Sequence, residues 1–144
     1  NNIFYFTVDE LGGRIMAESM QGLHRSHRCT EVSNKNIGET VNCNWGWVQK
    51  RRNLGSLIFI DLRDRSGLLQ LVFDENNGEV FEKAKNLRSE FVIAAEGVVR
   101  QRSGAVNENM ATGDIEVTVN TLRILSEAET LHSLLKKMLI LEKS

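Results

Sequence analysis

The chain has 144 residues, 41% of them hydrophobic, which is enough for one domain with short tails. Its formal net charge of −1 excludes a general nucleic-acid coat protein, which would be basic throughout, so any nucleic-acid site must be a local patch. Two cysteines are too few for a disulfide framework, and neither a secretory signal nor a membrane-length apolar run is present; the expectation is a reduced, cytoplasmic setting without membrane contact.

In chain order, residues 1–15 share no pattern with the rest of the chain and read as an N-terminal extension, compatible with a short strand over 3–8. A domain is expected over 16–130. Its first strand should run over 40–49. That segment is irregular: Asn42 and Asn44 flank Cys43, and Gly46 separates Trp45 from Trp47, which predicts a bulge or bend near Gly46. Lys50, Arg51 and Arg52 form a basic turn, and residues 53–56 lead into a second strand over 57–63. Residues 64–67 turn into a third strand over 68–74. Read with a period of two, Ile58, Ile60 and Leu62 face one way, while Phe59, Asp61 and Arg63 face the other. Leu69, Leu71 and Phe73 share a face, with Gln70 opposite.

Asn76, Asn77 and Gly78 can cap a helix in which Val80, Phe81, Ala84 and Leu87 recur at helical spacing to about Ser89. A fourth strand over 91–102 turns Phe91, Ile93, Ala95, Gly97 and Val99 inward, with Arg100 and Arg102 on the other parity. A polar loop over 103–113 precedes a fifth strand over 114–125, with Ile115, Val117 and Val119 inward and Glu116 outward. Beyond it, Leu131, Leu134, Leu135, Met138 and Leu139 fall at the spacing of a C-terminal amphipathic helix.

The order predicts an all-β fold with one helix: a five-stranded OB-fold Greek-key barrel, the helix lying between its third and fourth strands. Such a barrel takes single strands across its second and third strands and at two loops, here residues 49–56 and 101–113. Phe59, Gln70, Arg100, Arg102 and Glu116 all carry the outward parity of that face. An outward ring can stack a nucleobase, and the cations beside it can hold phosphate. Blander readings stand beside this one. Phe59 could fill a second small core, and the Lys50 to Arg52 run could be a solvated turn. Asp61, Arg63, Asp64 and Arg65 read as structural, pairing among themselves and fixing their turn. Trp45 and Trp47 read as packing residues. His24, His27, Cys29 and Cys43 fit no strong zinc spacing, so no metal is expected. No phosphate-binding loop or nucleophile motif appears, so no catalytic residue is expected.

Three strings go further: RSHRCTEV at 25–32, GWVQKRRNLGSLIFIDLRDRSGLLQLVF at 46–73, and NMATGDIEV at 109–117. They resemble the N-terminal anticodon-binding domain of bacterial-type aspartyl-tRNA synthetases, over roughly residues 16–130. The resemblance implies a grip on the anticodon loop of the aspartate tRNA. It implies that Phe59 stacks on the central uridine, that Gln70 and Glu116 hydrogen-bond base edges, and that Lys50, Arg52, Arg100 and Arg102 contact phosphates and bases. It also implies that the chain alone is no enzyme. ATP, magnesium and most homodimer contacts would belong to the catalytic half of a full-length aspartate–tRNA ligase, and this chain needs no cofactor.

The chain departs from the family pattern in three places. The interval from Gly38 to Gly46 carries one extra residue. A loop Asn that contacts the anticodon in the family aligns on Ala105, so that contact is not carried over. After Thr130 the family's Pro-Pro is replaced by Leu131, His132 and Ser133. Removing one base from codons for Pro-Pro-Phe reads Leu-His-Ser, so residues 131–144 are expected to be a divergent, frameshift-derived tail on a truncated chain. That accords with the absence of proline. Three other functions stay open: a generic single-stranded nucleic-acid-binding module, a protein-interaction barrel using the same face, and a remnant with no function.

Overall fold

A computed structural model describes residues 4–8, 14–18 and 22–127. The expected tail and its helix lie outside the described residues. The first two strands, β1 (Phe4–Val8) and β2 (Arg14–Glu18), pair antiparallel with Phe6 opposite Met16. The strand expected over 3–8 is thus present. The hairpin, however, crosses the boundary expected at residue 16.

The barrel is built from β3 (Thr40–Asn53), β4 (Leu57–Asp64), β5 (Gly67–Asp74), β6 (Val92–Gln101) and β7 (Ile115–Ser126). It closes in the order β3-β4-β5-β7-β6, with β6 returning to β3. All neighbours are antiparallel except β5 and β7, which meet at Leu71–Val117 and Val72–Thr118. The helix α1 (Gly78–Lys85) connects β5 to β6 and buries Val80, Phe81 and Ala84. This is the expected OB architecture.

Alternation along β4 sets the core. Ile58, Ile60 and Leu62 have no exposed surface, while Phe59, Asp61 and Arg63 between them are half-buried. Leu69, Leu71 and Phe73 from β5, Ile93, Ala95 and Val99 from β6, and Ile115, Val117 and Val119 from β7 join the same core. A closed barrel has one inner face, so a period of two sorts each strand cleanly.

β3 is longer than expected because it serves two neighbours. Its first half pairs with β6 and its second with β4, with register shifts at Asn44/Gly46 and Val48/Lys50. The bend expected near Gly46 is there. Trp45 takes the positive φ of 69° at the bulge, costly for a bulky residue. A Cβ on Gly46 would meet Leu62 at 2.7 Å. Past the second shift, Lys50, Arg51 and Arg52 pair with Asp61, Ile60 and Phe59. They are therefore strand, not turn: the ladder satisfies their backbone groups, and the connection shrinks to residues 54–56.

Three other expectations shift. The helix stops at Lys85 rather than near Ser89, although Leu87 is still fully buried. The β6–β7 ladder slips at Glu96/Gly97, where a Cβ on Gly97 would lie 2.2 Å from the Thr118 carbonyl oxygen. Beyond the slip Leu122 takes over the inward position. Asp64 does fix its turn, but by turning inward. Its carboxylate accepts from the backbone N–H of Cys29 (2.8 Å), from Ser66 N–H (2.8 Å) and from Ser66 Oγ–H (2.5 Å). Arg63 instead donates to the Gln49 side chain. Trp45 and Trp47 pack outside the barrel against Val92, Ala94 and Leu125, as packing residues should.

Candidate nucleic-acid interface

The far end of β3, the face of β4 and β5, and the loop between β6 and β7 enclose an open groove of about 280 Å³. Arg52 and Leu54 line one side, Phe59 and Gln70 the floor, and Arg102, Ser103, Gly104 and Ala105 the other side. Cross-strand pairing places Arg52 directly opposite Phe59. The guanidinium carbon of Arg52 sits 5.1 Å from the ring centroid, within cation–π range. Phe59 is half-buried and lines the groove.

A chain of polar contacts runs beneath this surface. Arg52 Nη2 donates to Gln70 Oε1 at 3.1 Å, and Gln70 Nε2 donates to Glu116 Oε1 at 3.0 Å. Arg100 Nε donates to the other carboxylate oxygen, Oε2, at 2.7 Å. The orientation of the Gln70 amide is forced, because a guanidinium can only donate and an ionised carboxylate can only accept. Gln70 is 3% exposed and Glu116 0%. Their outward parity is as expected, but their exposure is not. Gln70 sits mid-barrel between β4 and β7 with Arg52 folded over it, and Arg100 lies against Glu116.

The seven expected site residues therefore divide. Arg52, Phe59, Gln70 and Arg102 line one groove. Glu116 and Arg100 form the layer behind Gln70. Lys50 is exposed beside the groove and pairs in register with Asp61. Leu54 was not singled out by pattern, yet it lines the groove and is 63% exposed. Only its place in the loop between the first two barrel strands pointed to it.

The charge balance favours an anion. Arg100 neutralises Glu116, while neither Arg52 nor Arg102 has a carboxylate partner among the described residues. Among the described residues Arg102 Nε is buried without a hydrogen-bond partner, and Arg102 Nη2 reaches only the Met110 sulfur at 3.7 Å. A buried donor left without an acceptor beside an open groove is suited to a ligand oxygen. Among the described residues no three His, Cys, Asp or Glu side chains gather as a metal site, and no helix is long and apolar enough to cross a membrane.

Comparison with known proteins bears on the same segment. Residues 45–125, more than half of the chain, match the family model of the tRNA anticodon OB-fold nucleic acid binding domain. An aspartate–tRNA ligase of Agathobacter rectalis is 72% identical over 117 residues, covering 80% of this chain and 19% of that protein. An aspartate–tRNA(Asp/Asn) ligase of Lachnoclostridium phytofermentans is 66% identical over the same length and shares. The chain spans about a fifth of the length of these relatives. Among solved structures, the asparaginyl-tRNA synthetase of Pyrococcus horikoshii complexed with asparaginyl-adenylate superposes with a TM-score of 0.61 at 31% identity, over 74% of this chain and 23% of that one.

Proposed function

This chain belongs to the tRNA anticodon OB-fold family, and we propose that its groove grips the anticodon loop of an aspartate tRNA as the RNA-recognising module of an aspartate–tRNA ligase. Amino-acid activation, with its ATP and magnesium, would lie outside these 144 residues. The observation that carries the reading is the pairing of a half-buried aromatic ring with two arginines that have no carboxylate partner among the described residues. Phe59 supplies a stacking platform worth about 1–3 kcal/mol per base. Arg52 and Arg102 supply donors for phosphate or for base oxygens, and Lys50 extends the positive edge.

Gln70 and Glu116 enter differently from a simple exposed reader. In the free chain their polar atoms are already engaged with Arg52 and Arg100. A base that takes the Arg52 position on Gln70 Oε1 displaces that contact, so recognition there proceeds by exchange of partners. An exchange favours a base with matching donors and acceptors and penalises one without them, because the buried amide would be left unsatisfied.

The test is binding of the purified chain to an anticodon stem–loop RNA carrying G-U-C and to the same stem–loop with altered loop bases, across a salt series. The reading expects the matched loop to bind at least tenfold tighter, with affinity falling as salt rises. Equal binding of both loops would favour a generic single-strand module, and no binding to either would refute the proposal.

A further inference from the structure

A second cationic site lies one residue along β3 from the groove. Side chains alternate along a strand, so Arg51 points away from the Phe59 face, toward the end of α1. Its Nη1 donates to the carbonyl of Lys85, the last residue of the helix. Arg88 Nη1 donates to that same carbonyl oxygen at 3.1 Å and to the Leu87 carbonyl at 3.1 Å. Two guanidinium groups thus converge on one neutral oxygen. Neither has a carboxylate partner among the described residues. The nearby acid on the helix, Glu82, is taken by Lys85 Nζ at 3.0 Å, and that ammonium also lies 5.2 Å from the Phe81 ring centroid.

Capping a helix end needs one donor per carbonyl, and cations near a helix C-terminus complement its dipole. That accounts for one arginine. It does not account for two like charges brought to a single oxygen with no carboxylate partner among the described residues. Such a pair repels itself and is relieved by an anion that both forks can reach.

We propose that Arg51 and Arg88 form a second phosphate site, which takes a backbone phosphate of the same RNA outside the segment read at Phe59. The inference rests on the proposed grip of RNA in the groove. Arg51 and Arg52 are adjacent and project to opposite faces of β3, so a strand leaving the groove over the β3 edge passes from one arginine to the next. The two sites divide the work: bases are read at Phe59 and Gln70, while Arg51 and Arg88 hold backbone without regard to sequence.

The test uses Arg88→Gln and Arg51→Gln, which keep an amide donor for the helix carbonyl and remove the charge, with Arg88→Lys as the charge-retaining control. Binding to the G-U-C stem–loop and its altered-loop partner is measured from low to moderate salt, with thermal melting of each variant beside it. Each Gln variant should weaken both RNAs by the same factor, lower the slope of log affinity against log salt by roughly 1, and leave the ratio between the two RNAs unchanged. Arg88→Lys should keep the unaltered slope. If the unaltered chain discriminates the loops while folded Gln variants keep the full salt slope, the second site is wrong and the groove reading survives. If a Gln variant lowers the matched-to-altered ratio, the residue belongs to base reading, which also overturns the proposal. If the unaltered chain binds neither RNA, both readings fall.

Discussion

Asp64 and Glu116 are both buried carboxylates, 3% and 0% exposed, and both are hydrogen-bonded; their partners differ in kind. Asp64 is held mainly by backbone amides, those of Cys29 and Ser66, with the Ser66 hydroxyl. Those donors are fixed by the fold, so the contact ties the segment before β3 to the β4–β5 turn and can do little else. Glu116 is held by two side chains, Arg100 and Gln70, the second of which forms the floor of the groove. Side-chain partners can rotate and be exchanged. Burial marks a structural corner in one place and, in the proposed reading, a recognition layer in the other; what separates them is whether the partners are backbone or side chain.

The largest effect should come from breaking the fixed corner. Asp64→Ala leaves two backbone N–H groups without their acceptor and should cost about 3 kcal/mol of stability, read by chemical denaturation. Burial alone would raise the Asp64 pKa, but the bonds from Ser66 and Cys29 outweigh it and hold the carboxyl below the usual aspartate value. The folded chain therefore releases this proton more readily than the unfolded chain does. The stabilisation is present above the unfolded pKa and is lost as pH falls through the lower, folded one. Asp64→Asn should flatten the acid limb of the melting temperature against pH, and an unchanged limb would show that other carboxylates set it.

Glu116→Gln probes the exchangeable layer. Arg100 has 43% of its side chain exposed and can turn to water, so the stability cost should be near 1 kcal/mol. Discrimination between matched and altered loops should fall more than stability does. A variant that melts like Asp64→Ala would put Glu116 with the structural corner.

The smallest expected effect concerns the thiols beside Asp64. Burial first, then the Asp64 charge, pushes Cys43 up to about 12 against a small opposing pull from Arg25, and burial likewise raises Cys29. Both should resist alkylation at pH 8 in the folded chain and react once it is unfolded in urea. Because the folded pKa is the higher one, this contribution is complete below the unfolded thiol value and fades as pH rises toward about 12. Fast alkylation of the native chain would contradict the burial.

The architecture was legible because a closed barrel imposes one inner face, so the alternation through Ile58, Ile60 and Leu62 and through Leu69, Leu71 and Phe73 had a single meaning. Strand extent was less legible. Lys50 to Arg52 look like a turn by composition, yet pairing with β4 draws them into β3 after a bulge that local propensity does not encode. Parity gave the face of Gln70 and Glu116 but not their depth, since depth depends on Arg52 and Arg100, which lie far away in sequence, folding over them. The pairing of Arg51 with Arg88 depends likewise on where α1 ends, and the helical spacing of Leu87 concealed that.

The proposed recognition turns on the ring at the floor of the groove. Affinity of Phe59→Ala for the G-U-C stem–loop, set beside the unaltered chain, tests it most directly. Loss of about 1–3 kcal/mol in binding is expected, with melting nearly unchanged and most discrimination gone. A folded Phe59→Ala that binds and discriminates as the unaltered chain does would contradict it.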